Sequence, residues 1–210
     1  MIAWESAEPL PRRFYERDSR EVAPELLNKV LVRGGVAGRI VETEAYVGDI
    51  DPAAHAYRGK TLRNATMFGP PGHLYVYFVY GMHWCINPVC AEEGVGNAVL
   101  IRAVAPLAGL ELMRERRPRA RRDVDLCNGP GKLAQAFGIT RAEDGADLVT
   151  GRDGGITIVG DGVAPPDDPG QSARIGLSLA VDLPWRWFVK GDPNVSRAKP
   201  GRVDRPRQRV

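Results

Sequence analysis

Apolar and polar residues in this chain alternate mostly with a period of two, and a helical period appears only in short stretches. From Gly38 to Val47, Glu42, Glu44 and Tyr46 fall on one side of an extended backbone, and Val41, Thr43 and Ala45 on the other. Val30–Arg33 precedes this strand across a Gly34-Gly35 turn. Leu74–Val79 is apolar, aromatic and β-branched, which predicts a strand, with Trp84–Val89 returning beside it. Asn97–Val104, Ile156–Val159, Arg174–Leu179 and Trp187–Val189 read as further strands. Helical spacing is confined to Ser19–Leu31, with Ser19 as N-cap, to Leu107–Arg117, stopped by Pro118, and to Gly129–Phe137, ended by Gly138. Gly48–Gly72 is rich in Gly, Pro and Asp and reads as loop. The pattern predicts an α+β fold: one mixed domain over residues 1–210, with a curved, largely antiparallel sheet, surrounding helices and a protruding β-hairpin. Residues 203–210 carry little apolar payload and read as a mobile basic tail.

Composition narrows this picture a little. The chain has 210 residues, 26% charged and 43% apolar, which is ordinary for a globular protein with one sizeable core. No apolar run approaches about 18 residues, so no membrane span is expected. The start, Met-Ile-Ala-Trp-Glu-Ser, lacks a basic-then-apolar leader. Three cysteines, an odd number, point to a reducing cytoplasm rather than a disulfide framework. Net charge is only +3, but arginines crowd 114–122 and basic residues crowd 197–209. Such segregation suits a polyanion partner, with a solvated surface as the bland alternative.

The candidate chemistry lies between Arg39 and Asn87. A strand face carrying Glu42, Glu44 and Tyr46 is either solvent-exposed at a sheet edge or the floor of a site. Arg102, inside the apolar run Val99-Leu-Ile-Arg-Ala103, is expensive to bury unless paired, and is the best partner for the carboxylates. His55 gains weight only from its company. Tyr75 and Tyr77 share one strand face, and Tyr80 sits at the hairpin tip before Gly81, flanked by Met82 and His83. A tip tyrosine can act as a wedge between bases, or be part of an ordinary tyrosine-rich turn. His83, Cys85, Cys90 and Cys127 fit no zinc spacing and read as a histidine and buried thiols, so no metal and no cofactor is expected. Cys127-Asn-Gly-Pro-Gly-Lys132 departs from a phosphate-loop signature, yet Lys132 at a helix start suits a backbone phosphate.

Taken together and in order, Val41-Glu-Thr-Glu-Ala-Tyr46, His55, Arg63-Asn64, Met67-Phe68, Tyr75-Val-Tyr77, Tyr80-Gly81, Asn87, Val99–Arg102, Asn128–Leu133 and Arg174–Gly176 resemble the alkyladenine (3-methyladenine) DNA glycosylases. The resemblance spans about residues 10–196. It implies a monofunctional glycosylase that flips alkylated purines out of duplex DNA and leaves an abasic site. On matching positions it implies Glu44 as the base that activates water, with Arg102 and the Ile175 carbonyl holding that water. Tyr46, His55, Tyr77 and Asn87 would form the base pocket, Asn87 standing where a guanine 2-amino group would clash. Tyr80 would fill the gap in the duplex, and Met82, His83, Thr61, Arg63 and Lys132 would touch DNA. Glu42 becomes structural support. The implied partner is damaged double-stranded DNA, met by a monomer with no membrane, in a bacterial cytoplasm at the nucleoid. Two rivals are a non-catalytic nucleic-acid-binding module with an aromatic stacking hairpin, and a small-molecule glycoside hydrolase using Glu42 and Glu44.

Overall fold

The computed structural model describes residues 4–79, 81–151 and 155–197. The fold is built around one long strand. Strand β1 (Val30–Arg33) turns into β2 (Val36–Tyr46), whose eleven residues are almost all buried. The hairpin β3 (Leu74–Val79) and β4 (His83–Cys90) follows, then β5 (Asn97–Ala108), β6 (Ile156–Val159), β7 (Gly170–Ser172) and β8 (Arg186–Phe188). The order is β3-β4-β5-β2-β1-β6, with β8 joining β2 beside β1 and β7 pairing with β8. Every named pair is antiparallel. The curled sheet and its helices form a single α+β domain, as the alternation predicts.

The sheet packs one face against α2 (Ser19–Glu25), α3 (Leu110–Arg116) and α4 (Pro130–Phe137), with the single turn α1 (Arg12–Tyr15) at its edge. Leu26, Leu27, Ile40, Ile86, Ile101, Met113, Leu133 and Phe137 are the centre of the core, all fully buried. At about 25 cal/mol per Å² of apolar surface, this face supplies the main drive to fold.

Some boundaries differ from the sequence reading. The first long helix ends at Glu25, not Leu31, because Asn28 takes φ 66° and the chain turns into β1. Its cap is Asp18, whose side chain accepts from the Arg20 amide, while the Ser19 hydroxyl donates to the Tyr46 carbonyl at 3.0 Å. β5 runs on to Ala108, so the next helix starts at Leu110. No strand forms at Arg174–Leu179, where the backbone is irregular and Gly176 has φ 76°.

Four of the six arginines of 114–122 are held by partners, while Arg119 and Arg121 are exposed. Arg114 pairs with Asp123 and Glu111, Arg122 pairs with Asp125, Arg116 donates to the Ala136 carbonyl, and Arg117 donates to Gln135. They tie α3 to the loop and helix that follow. The tail at 203–210, read as mobile, lies outside the described residues. Among the described residues no helix is long and apolar enough to cross a membrane.

One ion pair sits wholly in the interior. Arg174 NH1 and NH2 donate to the Asp51 carboxylate at 2.5 and 2.8 Å, and NH1 also reaches the Ala45 carbonyl at 2.9 Å. Both side chains are without solvent exposure. Asp51→Ala therefore strands a buried cation, and a loss of about 3–5 kcal/mol is expected from the urea unfolding midpoint.

Candidate active site

The pairing of β2 with β5 slips three times, and two of the slips flank Glu42. Ile40 faces Val104, Glu42 faces Ala103 and Thr43 faces Ile101. Around Glu42, Val41 on β2 and Arg102 on β5 are left without a register partner. A bulge re-aims side chains, and here Arg102 is turned onto the face of Glu42 and Glu44. The two carboxylates are not at an exposed edge. Both are fully buried, and Arg102 is nearly so.

Arg102 divides its guanidinium between them. Its Nε donates to Glu42 Oε1 at 2.8 Å, and NH1 lies 3.2 Å from Glu44 Oε2. Glu44 also accepts the Ile175 amide on Oε1 at 2.7 Å and the Tyr46 hydroxyl on Oε2 at 2.9 Å. Glu42 is held by the Arg186 Nε at 2.7 Å and by the Ser196 amide and hydroxyl at 2.7 and 2.8 Å. Burial alone would raise the Glu42 carboxyl, yet Arg102, Arg186 and the Ser196 amide hold it below the usual range. Arg102 is likewise held charged: burial opposes this, and Glu44 with Glu42 more than offsets it.

The aromatic wall comes from the β3–β4 hairpin and the loop before it. Tyr75 and Tyr77 stack with centroids 5.6 Å apart. The His55 ring meets Tyr77 edge-on at 4.5 Å, and its Nδ1 is 3.0 Å from the Tyr75 hydroxyl. Asn87 is buried, and its amide donates to the Tyr75 carbonyl at 3.1 Å. Tyr46, His55, Tyr75, Tyr77 and Asn87 enclose a gap of about 20 Å³, room for a water and too small for a base. Beside it opens a cleft of about 690 Å³, lined by Tyr46, Tyr77, Arg102, Lys132, Ile175 and Ser196 among others. That size is within the ~300–1,000 Å³ usual for ligand sites. Burial pushes the Tyr75 phenol up to about 12, and raises Tyr46 and Tyr77 further, so all three stay protonated donors.

The structure gathers Glu44, Arg102, Ile175, Tyr46 and Tyr77 at one place, with His55 and Asn87 against the same wall. Ile175 enters through its amide, a contact in place of the expected strand. Lys132 lines the cleft and donates to Asn128 at 2.6 Å. His83 reaches across to Gly131, where a Cβ would come within 2.7 Å of the imidazole, so the hairpin and the start of α4 are in close contact. Met82 is 68% exposed beside Gly81, which has the left-handed φ of 67° that the turn requires. Arg63 donates to the Phe78 carbonyl, and Thr61 donates to Asn64, away from the carboxylates. Tyr80 lies outside the described residues. Cys85, Cys90 and Cys127 are free and buried, with burial pushing Cys85 up to about 11. Among the described residues no cluster of three or more His, Cys, Asp or Glu is placed to hold a metal.

Asp51, Arg174, Arg186 and Ser196 were not expected here. The Arg174 guanidinium lies 4.6 Å from the Tyr46 ring centroid, so the buried pair also supports the aromatic floor. Arg174 carried a signal, as a charged residue before Ile-Gly. Ser196 carried none.

A buried carboxylate shared with an arginine lies beneath an aromatic-walled cleft, an arrangement of the kind that can hold a flat ring. Comparison with known proteins makes this specific. Residues 13–193 match the family described as methylpurine-DNA glycosylase. A protein of Burkholderia cenocepacia is 62% identical, over 91% of this chain and 92% of its own. One from Streptomyces avermitilis is 46% identical, over 100% and 99%. One from Methanoculleus marisnigri is 48% identical, over 90% and 98%. All three are provisionally named 3-methyladenine DNA glycosylase. The chain belongs to the methylpurine-DNA glycosylase family, and is an enzyme of the DNA glycosylase class. The stacking-module alternative finds no support.

His55 offers a direct check of this geometry. Packing against the tyrosines lowers its pKa below the ordinary 6.5, and the Arg63 cation adds to the shift. The folded value lies below the unfolded one, so the unfolded chain takes up the proton first as pH falls. Stability on this account is lost as pH drops through about 6.5. The imidazole is expected to titrate below 6.5 by NMR, and Arg63→Gln to raise the midpoint.

Proposed function

We propose that this enzyme excises alkylated purines, 3-methyladenine among them, from double-stranded DNA, hydrolysing the N-glycosidic bond and leaving an abasic site. The observation that carries the reading is the Glu44 carboxylate. It accepts two hydrogen bonds, from the Ile175 amide on Oε1 and from the Tyr46 hydroxyl on Oε2, and Arg102 forms an ion pair with Oε2 at 3.2 Å. A carboxylate has about four lone-pair positions, so one remains on Oε1. Glu44 has no solvent exposure. The water it activates is therefore an internal one, bound near Arg102 and Ile175 at the cleft floor.

Inside a duplex the bond is out of reach of a buried carboxylate, so the nucleotide must be turned out of the stack. The cleft has the volume to take it. The gap between Tyr46, His55 and Tyr77 is too small for a ring, so side chains at the wall must shift as the base enters. An N3- or N7-alkylated purine is a cation. Tyrosine faces favour it by up to about 2 kcal/mol when desolvated, and it leaves without a strong acid. As the C1′–N9 bond breaks, the sugar becomes oxocarbenium-like. Glu44 stabilises that charge and takes the proton from water as oxygen bonds to C1′. The departing electron pair neutralises the purine. Asn87, at the pocket wall, discourages guanine through its 2-amino group. Lys132 and His83, on the cleft side, are assigned to the DNA backbone, and Tyr80 at the hairpin tip to the space left in the duplex.

Glu44→Gln is expected to lower single-turnover excision of 3-methyladenine by about 10²–10⁴-fold while keeping affinity for the lesion duplex in a gel-shift assay. Turnover within about tenfold of the parent would rule out Glu44 as the base. The mechanism has no amine nucleophile. Borohydride is therefore expected to trap no covalent enzyme–DNA adduct, and a trapped adduct would overturn the water mechanism.

A further inference from the structure

Glu42 has no part in the chemistry just described, yet it is bonded more fully than Glu44. Arg102 Nε, Arg186 Nε and the Ser196 hydroxyl converge on its Oε1, and the Ser196 amide meets Oε2. Arg186 is itself fixed, by NH1 to the Ser172 hydroxyl at 2.9 Å and by stacking 4.5 Å above the Phe188 ring. Two arginines and two carboxylates thus balance in an almost wholly buried site. A guanidinium bonded through Nε to Glu42 cannot also turn its whole fork onto Glu44. The Arg102–Glu44 contact is correspondingly one-sided, a single nitrogen at 3.2 Å. An arginine released from Glu42 would pair with Glu44 in two-pronged fashion. That would occupy the lone pair a water needs.

We propose that Glu42 is a positioning residue, which with Ser196 divides Arg102 between the two carboxylates and so keeps one lone pair of Glu44 open to water. The proposal rests on the reading of Glu44 as the base. It assigns the C-terminal segment at Ser196 to the catalytic centre, although Ser196 is 154 residues from Glu42 in sequence.

The test compares Glu42→Gln, Ser196→Ala, Ser196→Thr and Glu44→Gln as full-length proteins, on a duplex carrying 3-methyladenine. Circular dichroism melting gives the folded fraction, gel shift the affinity, and single-turnover rates against pH the chemistry. Glu42→Gln and Glu44→Gln unbalance the cluster by the same one charge, so a merely structural role predicts similar losses of folding and no other signature. Arg102, Tyr46, Tyr77 and Cys85 are the titratable groups that face Glu44, and the last three stay neutral. Release of Arg102 onto Glu44 therefore moves the acid limb of the rate to lower pH. The expected result for Glu42→Gln is that shift, with the plateau rate down about 10- to 100-fold and duplex affinity kept. Ser196→Ala removes only the hydroxyl bond and keeps the amide. Its plateau is expected to fall about 2- to 10-fold, and Ser196→Thr to restore it. Folded Glu42→Gln or Ser196→Ala with parental rate and an unmoved acid limb overturns the proposal, as does loss only in proportion to unfolding. Should Glu42→Gln fail to fold, the Ser196 pair decides alone. Activity surviving in Glu44→Gln would instead fail the base assignment, a separate result.

Discussion

The rest of this structure is arranged around four charges almost wholly withdrawn from bulk solvent. Taking an ion into a protein interior costs several kcal/mol unless partners replace its hydration. Glu42, Glu44, Arg102 and Arg186 meet that condition only together, each bonded to another member or to a fixed donor. The register slips between β2 and β5, the docking of β8 on the second half of β2, and the fold-back at Ser196 each deliver one partner. A conventional apolar core on the opposite face supplies the stability that lets the sheet carry this load.

The charged floor and the aromatic wall come from different parts of the chain and are joined by small contacts. The wall belongs to the hairpin of β3 and β4, and the floor to β2 and β5. Tyr46 bonds to Glu44 through its hydroxyl and rests against Arg174 through its ring. On the other side of the cleft, His83 against Gly131 brings the hairpin up to the first turn of α4, which carries Lys132. Only the absence of a side chain at Gly131 allows that approach.

Much of this was legible from the order of residues. The first six strands follow from alternation, because a strand buried on one face leaves a period of two. Arg102 was legible from the cost of an arginine in an apolar run, and the ordered motifs pointed to the family. Other features misled. Ile175, Leu177 and Leu179 alternate as a strand would, but Leu179 is 54% exposed and the Ile175 amide is given to Glu44. The arginines of 114–122 looked available to a polyanion because composition counts charges without their partners, and the nearby Asp123 and Asp125 take up two of them. Periodicity put Glu42 and Glu44 on one face but left open whether that face met solvent. Ser196, Arg186 and Asp51 left no local trace, since their partners lie 123 to 154 residues away.

The place of Ser196 has a consequence for how the protein is made. A ribosome that has released residues through β8 has released every strand of the sheet, and with it Glu42, Glu44, Arg102 and Arg186. It has not released the amide and hydroxyl that complete the shell of Glu42. The nascent chain can therefore assemble its hydrophobic core before its charged centre is closed. The shell of Glu42 is thus completed by residues that follow the last strand in chain order.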